Sequence, residues 1–513
     1  MKKVIKYVSV AVAIALLFTG CNSDKNKSGG NTAQNTAPLV LQVREFSSFN
    51  PFTVSNHTVR DAFFLCYEPL FTVGENMQLE GVLASTIQVS DDCKSAVITL
   101  KDSASWHDGV KFTSADVAHT ISLLFSNPTW EYADCVKYID SVQTISPVSL
   151  RLNLTRPYSQ IGYSLYFPIV AAHNANLEEN MIGTGAYRFE KYQTSTLLEF
   201  KSYDKWHGGE ALCPSVSVSV IRDNESATTA FNTGLINTIT SDSFDLHNFT
   251  PKSNSRTTAY PSNNYEYMAF NHSRSVFSSS AVRCAVSTAL DRSTIVKECY
   301  AGNAYAANAP VHPLSGFLSE ASVLSQYSLT GAEEMLFLEG YSLDERTNVM
   351  KNEKGEALSF DILVNEENPD RIKTAESIQN QLSLLGVAVT VTKLSFEEYE
   401  EKIRMGSYDA YIGGIRFSNL YDYEVLLAQT GKLNTTDYHD EYMALALAAL
   451  GASPSEDSLS DAVLNFDEVF TREQPICGLC YRSDILITAE NVLGKLQPKM
   501  NFPYKNIANW SIK

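Results

Sequence analysis

Between residues 358 and 413 the apolar residues switch repeatedly between two periods, and few architectures accommodate that. Phe360, Ile362 and Val364 recur every second residue, as on a strand with one buried face. Ala375, Ile378, Leu382 and Leu385 then recur at helical spacing, and Gly386 stops them. Val387, Val389 and Val391 return to the strand period. A helix is predicted from about Glu397 to Met405, stopped by Gly406, and Tyr408 to Ile412 is strand-like again. Strand–helix–strand–helix–strand predicts a mixed α/β fold whose strands are joined by crossovers.

Other elements fit that class. Leu39–Val43, Val97–Leu100 and Leu150–Leu154 read as strands, and residues 60–71 begin with a helical pattern through Ala62, Phe63, Leu65 and Cys66. Helical spacing holds over 278–302, with Ser278 to Ser280 as caps, a break and restart at Asp291-Arg-Ser293, and Gly302 as the stop. No fixed-period repeat is present. At 513 residues the chain has length for about three domains.

The N-terminus predicts export. Lys2, Lys3 and Lys6 precede an apolar run from Val8 to Phe18, which is shorter than the roughly 20 residues a membrane-spanning helix needs. Phe18-Thr-Gly-Cys21 follows and looks like a bacterial lipobox, which would make Cys21 the lipid-carrying N-terminus; the alternative is an ordinary cleaved signal with an incidental cysteine. Residues 22–38 contain no large apolar side chain and read as a flexible tether. The net charge is −18, and loss of the three lysines in residues 1–20 makes it −21. So acidic a body argues against a nucleic-acid partner and against electrostatic adsorption to an anionic bilayer, leaving attachment to the lipid and tether.

The other eight cysteines are spread along the chain, and the sequence does not say which, if any, pair. Cys477-Gly-Leu-Cys480 sits in an apolar run that reads as a buried strand, where residues three apart face opposite sides. That argues against a redox or zinc site, and no metal site or cofactor is expected.

Several segments, in order, carry a resemblance. They include Ser48-Phe-Asn-Pro-Phe52, Trp106-His-Asp-Gly109 with Phe112-Thr-Ser-Ala-Asp-Val117, Gly183-Thr-Gly-Ala-Tyr187, Tyr203-Asp-Lys-Trp206 with Gly209, and Phe231 to Asn237. Met268-Ala-Phe-Asn271, Ala289-Leu-Asp-Arg292, Tyr300-Ala-Gly302, Leu336 to Tyr341 and Gln381 to Val391 continue the series. From near residue 40 to residue 510 the chain resembles the extracellular solute-binding proteins of family 5, which serve ABC importers of oligopeptides, dipeptides or nickel complexes. The resemblance implies a two-lobed, periplasmic-binding-protein-like fold (type II, cluster C) with an extra domain. It implies domain I from residues 39–75, 183–265 and 485–513, domain II from 76–182 and domain III from 266–484, after a signal peptide (1–20) and tether (21–38). Most of the matching residues read as fold markers: Trp106 as a core plug, Asp108 as an Asx-turn cap, Thr113 with Asp116 as a capping box.

The resemblance also implies where a solute would touch. Ser55 and Asn56 follow the Asn50-Pro51 turn, and the aromatic wall after helix 115–126 maps to Trp130 or Tyr132. The third domain contributes Gly413-Gly-Ile-Arg-Phe-Ser-Asn-Leu-Tyr-Asp422. There Gly414 precedes Ile415, which stands where peptide binders carry Trp; Ser418 or Asn419 stands where they carry the Asp that meets a peptide amino group, and Asp422 matches a later Asp. Arg416 is a new cation in that loop, facing a ligand anion or paired with a local acid. The implied role is a monomeric, lipid-anchored, extracytoplasmic receptor that captures a small solute, above all a peptide, for a permease. A peptide sensor without transport would carry the same motifs. An exported hydrolase is disfavoured, because H-E-x-x-H, G-x-S-x-G and P-loop motifs are missing and the nine histidines are scattered.

Overall fold

The computed structural model describes residues 38–241, 254–324 and 326–513. The expected signal, Cys21 and nearly all of the tether lie outside them.

Separate hydrophobic cores divide the described chain into lobes, one core in the first lobe and two in the second, with a small cluster around Ile239 and Ile487 besides. The first lobe holds two four-stranded sheets. In one, Leu39–Val43 runs parallel to Ser215–Val220, which pairs with Leu197–Ser202, and Tyr187–Gln193 closes the edge. The other is antiparallel, in the order Ala84–Val89, Ser95–Leu100, Ser149–Leu154, Ile139–Ser146. Alternation explains the inner faces: Ala96, Ile98 and Leu100 are buried while the residues between them are not. Helix Ser114–Ser126 turns Val117, Ile121 and Leu124 to the same core as Trp106, Leu152, Phe200 and Trp510.

Local chemistry sets the turns. Thr113 and Asp116 form the expected capping box, with Thr113 N–H donating to Asp116 Oδ2 at 2.8 Å. Asp108 accepts from Val110 N–H at 3.0 Å, and Gly109 takes φ +88°, a conformation that favours glycine.

The second lobe is built on a seven-stranded sheet with the main order Thr238–Ser241, Ile476–Thr488, Arg256–Phe270, Ala410–Arg416, Ser359–Asn365, Ala388–Leu394. Ser359–Asn365 pairs parallel to both Ala388–Leu394 and Ala410–Arg416, with helices Pro369–Leu384 and Phe396–Arg404 as the crossovers. This is the unit expected from residues 358–413, stops included: Gly386 and Gly406 both take positive φ. The 278–302 segment divides as expected into Ser280–Thr288 and Arg292–Cys299, and Asp291 caps the second helix by accepting from Ser293 N–H at 2.9 Å. The helix expected from residue 60 instead spans His57–Phe63, because Asn56 caps it by accepting from Thr58 N–H at 3.0 Å. Cys477 and Cys480 lie buried in strand Ile476–Thr488, and all eight described cysteines are free thiols.

Two long antiparallel strands, Arg256–Phe270 and Ile476–Thr488, join the lobes. Tyr260 and Leu486 belong to the first lobe's core, whereas Met268 and Cys477 belong to one of the second lobe's two cores. Their register shifts between Pro261 and Tyr265, where the chain passes from one core to the other. Just beyond, fully buried Glu266 is held by Arg371 Nε at 2.8 Å and Arg482 Nε at 3.2 Å. Removing one member of so buried an ion cluster costs about 3–5 kcal/mol, so this junction is firmly anchored.

Candidate functional site

Four pieces of chain converge where the lobes face each other. Strand Ala410–Arg416 runs out of the second lobe's sheet and delivers Arg416 and Ser418. Helix His57–Phe63 of the first lobe presents Arg60 and Asp61. The turn after helix Ser114–Ser126 brings Trp130, Glu131 and Tyr132, with Tyr132 at φ +69°. Asn501 arrives from the C-terminal segment. Between them lies a cavity of about 330 Å³, beside a second of about 440 Å³; Asp134, Arg416 and Ser418 line both.

Arg416 is the hinge-side centre of this space. Protein packs round it, yet its side chain stays open to the cleft. Its Nε donates to Asn263 Oδ1 at 3.2 Å and its Nη2 to Asn501 Oδ1 at 2.7 Å. Among the described residues it makes no ion pair, and the guanidinium leaves N–H donors facing the cleft. Desolvation pulls its pKa down, but the fields of Asp484 and Asp61 outweigh that and hold it above the usual arginine value. Asp61 answers in the opposite sense. Burial pushes its carboxyl up to about 7, against the opposing pull of Arg60 and Arg416.

The walls are aromatic and rigid. Trp130 stacks on Phe52 with centroids 5.7 Å apart, and Tyr132 meets Tyr166 edge-on at 5.8 Å. Arg60 pairs with Glu131, which ties helix His57–Phe63 to the turn carrying the aromatics. Ile415, Lys137, Tyr138 and Lys432 line the second cavity.

Of the residues singled out in the sequence, Trp130, Tyr132, Arg416 and Ser418 come together on the first cavity, and Ile415 and Asp422 join Arg416 and Ser418 on the second. The others have different surroundings. Ser55 is exposed, and Asn56 turns its carbonyl oxygen to the helix cap. Gly414 lies against the Glu266–Arg371 pair, where a Cβ would collide with both side chains. Asn419 is buried and donates to Gln160 O at 3.0 Å and Ser164 Oγ at 2.8 Å across the lobe boundary. The Asp422 carboxylate is buried and pairs with Lys137. Pairing of Arg416 with a local acid was one sequence expectation; its hydrogen bonds go to two asparagine carbonyls, and Asp484 and Asp61 act on it through their fields. Sequence reasoning missed Arg60, Asp61, Glu131, Tyr166 and Asn501. Arg60-Asp61 within a short amphipathic helix was the one available signal.

Among the described residues no group of three His, Cys, Asp or Glu side chains stands ready to hold a metal, and no helix is long and apolar enough to cross a membrane.

Comparison with known proteins adds four findings. The model of the family "Bacterial extracellular solute-binding proteins, family 5 Middle" matches residues 78–437. The oligopeptide-binding protein AppA of Bacillus subtilis is 23% identical over 99% of this chain and 98% of its own length. Among solved structures, the nickel ABC transporter protein of Bacillus halodurans superposes with TM-score 0.76 at 18% identity, covering 93% of this chain and all but 1% of its own. Bacillus subtilis AppA in complex with a nonapeptide gives TM-score 0.63 at 21% identity, covering 94% of this chain and 99% of its own.

Proposed function

Because the chain belongs to the bacterial extracellular solute-binding proteins of family 5, we propose that it is the extracytoplasmic receptor of an ABC importer and that its solute is a peptide. It would capture the peptide in the interlobe cleft and present it to the permease, held at the membrane by lipid on Cys21. The three-domain division, with domain I in pieces 39–75, 183–265 and 485–513, belongs to the same proposal.

One observation supports the reading most: two adjoining cavities between the lobes share an arginine that carries no ion partner. Such a site suits a ligand with extended polar backbone and an anionic group. The carboxylate of a peptide accepts from a guanidinium through charge-assisted hydrogen bonds, stronger in a closed cleft than in open water. Trp130, Tyr132 and Tyr166 supply flat apolar surface for side chains without demanding one sequence. In this reading Arg416, Ser418, Ile415, Trp130 and Tyr132 touch the solute.

The test is mass spectrometry of small molecules released from purified residues 39–513, followed by thermal-shift assays with the compounds found. Recovery of peptides that raise the melting temperature supports the assignment. Failure of peptides to appear, together with no shift from a peptide library, ends it.

A further inference from the structure

Two sections of chain from different cores meet at the second cavity, which Lys137, Tyr138, Asp422 and Glu424 line. Residues 137–164 belong with the first lobe, whose core includes Val136, Tyr158 and Ile161. Residues 419–424 belong with the second, whose core includes Leu420, Tyr421 and Tyr423. Their contacts are polar and specific. Arg156 Nη1 donates to both oxygens of Glu424, 2.6 Å each. Lys137 pairs with buried Asp422, and Tyr138 O–H donates to the other Asp422 oxygen at 3.1 Å. The Arg156 guanidinium lies over the Tyr138 ring, 4.1 Å from its centroid, so the two pairs form one cluster. Tyr163 and Tyr421 meet edge-on at 5.2 Å beside it.

These groups face each other across the lobe boundary. We propose that Arg156–Glu424 and Lys137/Tyr138–Asp422 form a clasp that sets the opening equilibrium of the cleft, and that these four ionic side chains are positioning residues for solute capture. Arg416 reaches back to the joining strands, donating to Asn263 within their register shift at Pro261–Tyr265. A rotation about those strands that separates the lobes must break the clasp. Arg156 and Glu424 each keep about a third of their side-chain surface in water (35% and 27%), so salt screens their pair. Opening therefore becomes easier as ionic strength rises. Asp422, with 3% of its side chain exposed, is the part that salt reaches least.

The test is small-angle X-ray scattering of the full chain with no solute added, so it stands apart from the peptide assignment. Glu424→Arg places two arginines face to face. Its expected result is a larger radius of gyration and an about tenfold shift of the equilibrium toward the open form. The double variant Arg156→Glu/Glu424→Arg restores the pair with reversed polarity and returns the wild-type curve. Glu424→Gln, which keeps the shape, falls between and covers the case in which the arginine variant does not fold. Raising the salt to 1 M moves the wild type toward the open form and leaves Glu424→Gln less affected. A Glu424→Arg or Glu424→Gln curve that superposes on wild type overturns the proposal, as does a double variant that stays open.

Discussion

Within ten residues, one stretch of chain does two jobs. Ile415, Arg416 and Ser418 turn toward the cavities, and Arg416 hydrogen-bonds to neutral asparagine oxygens. Asn419, Asp422 and Glu424, a few positions on, reach the other lobe and are bound there by hydrogen bonds and ion pairs. The difference is one of satisfied against unsatisfied chemistry. A buried carboxylate with an ammonium and a phenol on its two oxygens has little left to offer a ligand. An accessible guanidinium with spare donors does. Polar residues close in sequence must therefore be sorted by what already occupies them, not by their place in a motif.

That sorting can be attacked by substitution, starting with the largest effect. Asp422→Ala strips Lys137 and Tyr138 of their shared partner, and we expect it to lower stability by about 2–3 kcal/mol in denaturant unfolding. A loss below about 0.5 kcal/mol would place Asp422 with the free residues. Asn419→Ala removes two hydrogen bonds from a buried site and should cost about 1–2 kcal/mol in the same assay. Asp61→Asn sharpens the comparison through pH. The folded carboxyl titrates near 7, above its ordinary 3.8, because burial disfavours the charge. The folded state thus holds that proton more tightly than the unfolded chain, and stability from neutral Asp61 is complete below about pH 4 and lost as pH rises through about 7. Asp61→Asn escapes this loss, so its melting temperature should match wild type at pH 4 and exceed it at pH 8. An equal offset at both pH values would mean that Asp61 titrates normally. Smallest of all, Ser55→Ala, at an exposed position, should change neither stability nor solute affinity measurably.

How much of this could be read from the chain follows from the range of the forces involved. The α/β unit at 358–413 was legible because period and stop residues follow from local pattern; the order of its strands, with Ser359–Asn365 between the other two, did not. The Thr113–Asp116 box was legible for the same reason. Asn56 shows the limit: its cap geometry was equally local, but the resemblance drew attention to the cleft instead. The partners of Asn419 and Asp422 lie more than 250 residues away in sequence, at Gln160, Ser164 and Lys137, and no spacing rule reaches that far. Asp61 was hidden more thoroughly. A charged pair on a short helix reads as a solvated face, and only the lobes' arrangement encloses it.

The central claim is that the cleft around Arg416 holds the solute. Calorimetric titration of wild type and Arg416→Ala, with a peptide recovered from the purified protein, tests it most directly. Loss of the guanidinium should weaken binding by about tenfold or more, as expected for one charge-assisted contact, in a variant that still unfolds in one cooperative transition, since Arg416 makes no ion pair among the described residues. Unchanged affinity in a folded variant would contradict the account and move the site away from Arg416.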